Sequence, residues 1–306
     1  MRILITGASG LLGLNLALEI ANQYTVYGQV NDHSIRGKTF TVLKANLLEP
    51  GTMESLFDEA EPDWVIHCAA LADLEACEKF PELARELNTE IPKKLAELCQ
   101  KGGARLLHVS TDAVFDGLTG NYAEQDLPNP LSTYAKTKYQ AEIMVAKHNP
   151  DAIIARVNLF GWSLRGNRSL AEFFFNNLNS GNPIKGFTDI YFCPLLVNDI
   201  ANLFIRMLSS GLKGIYHVVS RDSMSKYRFG TSIAERFGFD QTLIEPVSIT
   251  RAGLEAARSP NLTLCVDKLI RDLGESIPMI STGIDRFYTL YQQGYPQVIR
   301  HMAIDP

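Results

Sequence analysis

Apolar residues along this chain occur in two alternating patterns. Arg2-Ile3-Leu4-Ile5-Thr6 is a short apolar run that stops at Gly7, and from Leu11 to Asn22 the residues Leu12, Leu16 and Ile20 recur at helical spacing. Strand, tight turn and helix is the reading. Val26 to Val30 and Phe40 to Leu43 read as further strands. Trp64 to Cys68 and Leu106 to Ser110 are uninterrupted apolar runs, as expected of parallel strands covered on both faces. Pro81 to Gln100 places Leu83, Leu87, Ile91, Leu95 and Leu98 on one helical face and ends at Gly102-Gly103, with Pro92 expected to kink or divide it. A helix from Ser132 or Thr133 to His148 and a strand from Ala152 to Val157 complete the alternation. Such alternation predicts a Rossmann-type, doubly wound α/β parallel sheet.

After Gly161 the pattern loosens. Helices are expected over Ser169 to Leu178, Asp199 to Leu208, Ser225 to Phe237 and Ile284 to Gln292, with short strands at Ile215 to Val219 and Leu243 to Val247. The division is therefore a dinucleotide-binding domain over 1–160 and a smaller, irregular α/β substrate lobe over 161–306, which can return elements to the main sheet. A crevice is expected between the two.

At 306 residues the chain can bury a sizeable core without metal or disulfide staples. Its five cysteines are odd in number and scattered, so free thiols in a reducing cytoplasm are expected. A net charge of −5 without basic clusters argues against nucleic acid or an anionic membrane as partner, so an anionic ligand must be met locally. The apolar stretch at the start is broken by Thr6 to Gly10, and no run is long enough to span a bilayer.

Gly7-Ala8-Ser9-Gly10-Leu11-Leu12-Gly13 follows the first strand and opens the first helix. Glycines there allow a tight turn and close backbone approach, and the helix N-terminus suits a pyrophosphate. That places Gly7, Ser9, Gly10, Leu11, Leu12 and Gly13 against a dinucleotide. The second strand ends in Gln29-Val30-Asn31 with no carboxylate; Asp32 is slightly late, and Arg36 and Lys38 follow. The reading favours NADP(H) over NAD(H), with Asn31 and Arg36 toward the adenosine ribose. Tyr134 and Lys138 form Y-x-x-x-K on one helical face, where an ammonium favours the ionised phenol. Thr111 closes the fifth strand, at the sheet edge where ligands sit. His67 and His108 lie inside apolar strands and read as buried core residues. No metal-ligand spacing stands out.

With these residues assembled, the chain resembles the extended short-chain dehydrogenase/reductase superfamily, and specifically the dTDP-4-dehydrorhamnose reductase family. The resemblance rests on the glycine turn, His67-Cys68-Ala69-Ala70, and Cys77-Glu78 through Asn88. It also rests on Ser110 to Gly117, Tyr122-x-Glu124-x-Asp126-x-Pro128-x-Pro130, Tyr134-x-x-x-Lys138, and the late Arg258-Ser259-Pro260-Asn261 with Asp267-Lys268-Leu269. It implies Thr111, Tyr134 and Lys138 as catalytic residues, with Asn46, Leu47, Ala69 and Ala70 beside the cofactor, and reduction of a 4-keto group on a nucleotide-activated deoxysugar. Leu159 stands where the family has an aromatic and Ala113 where it has tyrosine, which bears on the particular sugar. The substrate wall is expected from Phe115, Asn158 and Trp162, and a homodimer is compatible with this reading. The chain also resembles the regulatory β subunit of methionine adenosyltransferase, a dinucleotide binder; the intact Thr111, Tyr134, Lys138 set favours an enzyme. An epimerase or dehydratase on this fold would want tightly held NAD and extra acid–base residues, for which the sequence offers no clear place.

Overall fold

The computed structural model describes residues 1–249 and 259–304. Seven parallel strands form the central sheet: β1 (Arg2–Thr6), β2 (Thr25–Val30), β3 (Thr41–Lys44), β4 (Trp64–His67), β5 (Arg105–Thr111), β6 (Ile153–Val157) and Gly214–Val218. Their spatial order is Gly214–Val218, β6, β5, β4, β1, β2, β3. The chain leaves β1 toward β2 and β3, then crosses back to β4, so the order reverses beside β1. Ligands bind outside the carboxyl ends of strands at such a point.

Successive side chains of a strand face opposite ways, and here they divide between two hydrophobic cores. Ile3, Ile5, Ile66, Leu107 and Ile153 belong to one; Leu4, Val65, Leu106 and Ile154 belong to the other. Helix Leu11–Ile20 and helix Val197–Ser209 cover the first face, through Leu12, Leu16, Ile200 and Phe204. Helices Thr52–Ala60 and Ile91–Gly102 cover the second, through Met53, Leu56, Leu95 and Cys99. The central strands β1, β4, β5 and β6 are thus largely dry on both sides, which is why they read as apolar runs, whereas edge strand β3 keeps Thr41 and Lys44 exposed.

The division expected at Pro92 occurs one turn early. Helix Pro81–Arg85 passes through a π-turn, Glu86–Glu90, before Ile91–Gly102 begins with Pro92 in its first turn. Proline lacks the N–H that would bond the preceding turn, so the ladder shifts register there. Leu83 and Leu87 consequently line a cavity instead of the core. Helix Val197–Ser209 and strand Gly214–Val218 return the second half of the chain to the main sheet. The remainder adds two-stranded ladders and an aromatic cluster of Phe174, Phe229, Phe287 and Trp162, continuous with the first core. Among the described residues no helix is long and apolar enough to cross a membrane.

Candidate active site

Steric exclusion shapes the glycine turn. Gly7 has φ +72°, and a Cβ on it would lie 2.7 Å from the Ala69 nitrogen; a Cβ on Gly13 would lie 2.4 Å from the Gly7 oxygen. Only glycine lets β1, the helix start and the end of β4 meet this closely. Buried Gln29 secures the turn: its Oε1 accepts from the Gly7 N–H at 3.0 Å and its Nε2 donates to the Ala45 oxygen at 2.7 Å. At the helix N-terminus Gly10 is the N-cap and supplies no capping side chain, so first-turn N–H groups remain for an anion. These features fit a dinucleotide pyrophosphate.

Two adjoining cavities of about 710 and 590 Å³ share Gly7, Gly10, Leu11, Ala70 and Arg168. The larger also collects Leu12, Gly13, Thr111, Tyr134, Lys138 and Asn158. The smaller collects Ser9, Asn31, Asn46, Leu47 and Ala69. Three expected residues are not brought there. Phe115 is buried, stacked on Tyr122 at 4.2 Å and lying 5.0 Å beneath the Arg156 guanidinium. Trp162 is buried against Phe287 at 3.9 Å, its Nε1–H donating to the Phe287 oxygen. Both are core aromatics, because a large ring gains more from full burial than from an open wall. Arg36 is exposed and lines neither cavity, since its backbone N–H donates to the Met302 oxygen and Ile35 pairs with Ala303, holding this loop against the C-terminal segment. Arg258 lies outside the described residues.

Tyr134 and Lys138 stand one turn apart on helix Thr133–His148, whose N-cap Ser132 accepts from the Ala135 N–H. The Lys138 Nζ donates to the Val109 oxygen at 2.6 Å and lies 3.4 Å from His108 Nε2. His108 pairs in register with His67, ring centroids 5.3 Å apart, and His67 Nδ1 lies 2.6 Å from Thr6 Oγ1. Burial first and the Lys138 charge second push His67 down to about 3 and His108 well below its usual value. Both imidazoles are neutral, so His108 Nε2 is an acceptor for the ammonium. His67 Nε2 and His108 Nδ1 have no partner among the described residues.

The spacing predicts a phenol lowered by its neighbouring ammonium, but burial dominates. Desolvation pushes Tyr134 up to about 12, partly offset by the Thr111 hydroxyl, while the Lys138 ammonium is turned to Val109 and His108. A phenol that keeps its proton at neutral pH is a proton donor, suited to forming an alcohol from a carbonyl. Burial also pulls Lys138 down to about 8, against the opposing pull of Glu142. Asp112 is a group the sequence reading left unassigned. It lines the larger cavity, accepts from Asn158 Nδ2 at 2.5 Å and Thr111 Oγ1 at 3.1 Å, and is raised to about 6 by burial. The cavity therefore carries a buried carboxyl group next to Thr111. Its only sequence signal was its place after Thr111 at the end of β5.

A pH dependence follows from Lys138. The folded pKa lies below the ordinary lysine value, so the ammonium is intact below about 8 and lost as pH rises through it. For a reaction that needs this cation, kcat/KM is expected to fall tenfold per unit of pH above about 8. A flat profile to pH 9.5 would remove the ammonium from the mechanism.

The family described as RmlD substrate binding domain matches residues 1–293. A probable low-salt glycan biosynthesis reductase of Haloferax volcanii is 33% identical over 292 residues, 93% of this chain and 96% of that protein. Methionine adenosyltransferase 2 subunit beta of Danio rerio is 32% identical over 283 residues, covering 88% and 84% respectively. Among solved structures, dTDP-4-dehydrorhamnose reductase of Bacillus anthracis in complex with NADP superposes with a TM-score of 0.81 at 25% identity, over 94% of this chain and 98% of that one.

Proposed function

This chain belongs to the RmlD substrate binding domain family, and from that premise we propose that it is an NAD(P)H-dependent reductase of a keto group on a nucleotide-activated deoxysugar. The observation that carries the reading is the convergence of Thr111, Tyr134 and Lys138 with the glycine turn in one cavity. A bound reduced nicotinamide dinucleotide would supply the hydride. The glycine turn and helix N-terminus would hold its pyrophosphate, and Asn31, Asn46 and Leu47 its adenosine end.

The chain's own residues handle the substrate oxygen. The neutral phenol of Tyr134 delivers a proton to the oxygen as negative charge develops on it. Thr111, whose hydroxyl donates to Asp112 when no substrate is bound, would turn that one proton toward the same oxygen. Lys138, desolvated between Val109 and His108, holds positive charge under the reacting region. Leu159 and Asn158 form part of the wall beside them, with a side-chain amide for a sugar hydroxyl.

The experiment is purified protein with NADPH or NADH and a panel of nucleotide keto-sugars, followed by coenzyme oxidation. Oxidation with a dTDP-4-keto-6-deoxysugar supports the reading. Dinucleotide binding without oxidation by any member of the panel would instead support a regulatory binder, a reading favoured by the likeness to the methionine adenosyltransferase subunit.

A further inference from the structure

The expected cation at the adenosine ribose, Arg36, faces elsewhere, but two other arginines reach the cofactor cavity from the second half of the chain. Arg165 and Arg168 both line the smaller cavity, and Arg168 also lines the larger one. They are carried by a turn, 163–168, that the fold constrains from several directions. Glu172 has no solvent exposure, and its carboxylate accepts from the Ser163 N–H and hydroxyl at 2.7 Å and from the backbone N–H of Arg168 at 2.9 Å and of Ser169 at 3.2 Å. Asn176 Nδ2 donates to the Gly166 oxygen, and Gly166 adopts φ +71°. Asn15, buried in helix Leu11–Ile20, donates to the Trp162 oxygen at 2.9 Å and so ties the turn to the helix of the glycine motif. A buried carboxylate with four donors fixes the backbone on which the two exposed guanidinium groups stand.

The surroundings of those groups suit an anion. Arg165 Nη2 lies 3.2 and 3.3 Å from the two ring nitrogens of His33, just past the end of β2. An imidazole ring offers at most one acceptor nitrogen, so this contact leaves most of the guanidinium N–H donors of Arg165 free for another acceptor. Among the described residues neither arginine forms an ion pair with a carboxylate. In a protein of net charge −5, a polyanionic ligand needs such local cations.

We propose that Arg165 receives the 2′-phosphate of an NADP-type dinucleotide and that Arg168, at the junction of the two cavities, receives the pyrophosphate. The assignment rests on the dinucleotide reading above. Asp32 also lines the smaller cavity, where it accepts from Asn31 Nδ2 at 3.0 Å; it favours a ribose diol and opposes a phosphate. Arg165 offsets it, so the preference for NADPH is modest and hangs on this one side chain.

Calorimetric titration of NADPH and of NADH into the native protein and into Arg165→Ala, Arg168→Ala and Arg36→Ala tests this. Arg165→Ala is expected to weaken NADPH about tenfold and NADH less than twofold, so that NADH becomes the tighter ligand. Arg168→Ala is expected to weaken both by a similar factor, and Arg36→Ala neither. Equal losses of both ligands in Arg165→Ala, or no loss of either, would overturn the assignment while leaving the dinucleotide reading in place. Failure of the native protein to bind either ligand would overturn both. All three side chains are exposed, and thermal unfolding of each variant checks that the fold persists.

Discussion

Tyr134→Phe is expected to lower turnover by about 10² or more while leaving the protein folded. The ring keeps its size and place on helix Thr133–His148, and the phenolic oxygen is lost. Because burial already holds the phenol in its protonated form, the native residue spends no free energy on binding a proton at neutral pH. The substitution therefore removes the donor itself, and no change of pH restores it. Dinucleotide affinity should change little. The check is steady-state reduction of the active keto-sugar with far-ultraviolet circular dichroism and cofactor titration alongside. Turnover within a few-fold of native in a folded variant would take the proton donor away from Tyr134.

The largest effect on stability is expected at Glu142, behind the site. Its carboxylate accepts from Arg156 Nε at 3.0 Å and Nη2 at 2.7 Å and from the Ser110 hydroxyl at 2.5 Å, with both charged side chains almost fully buried. Breaking a buried pair from one side strands the other charge, so Glu142→Gln should cost about 3 kcal/mol or more, a fall in Tm of roughly 5 °C or more. Replacing both partners, Glu142→Leu with Arg156→Met, removes the charge that would be stranded and should recover most of the loss. Glu142 also stands one turn from Lys138 and raises its pKa. Glu142→Gln should consequently move the alkaline fall in kcat/KM to lower pH. Unchanged Tm in Glu142→Gln would show that Arg156 finds another partner.

Much of this molecule is legible along the chain, where neighbours in sequence are also neighbours in space. The strand, glycine turn and helix from Arg2 to Ile20 follow from local backbone rules, as do the N-caps Ser132, Ser169 and Ser225, and each begins its helix as the pattern implies. Tyr134 and Lys138 share a face because a helix turns in 3.6 residues. Several short segments were not legible: among them helices Thr52–Ala60, Leu74–Lys79, Asp267–Leu273 and Tyr295–Arg300 and strand Ile184–Phe187 take their stability from packing more than from their own periodicity.

What the sequence determined by itself was the alternation that makes a doubly wound sheet, and the residues at the carboxyl ends of its strands where a dinucleotide and a carbonyl would meet. Tertiary structure alone decided which side chains face that place. Phe115 and Trp162 turned into the core, Asp112 turned into the cavity, and the loop bearing Arg36 was held against residues 302–304 while Arg165 and Arg168 arrived from a distant turn. It also set the charges, since the phenol beside an ammonium is governed by how much water reaches both groups, and that depends on residues folded over them from β4, β5 and helix Thr133–His148. Periodicity encodes the hydrogen-bonded backbone because those bonds are local; desolvation and long-range contact are properties of the packed chain and have no counterpart in the order of its residues.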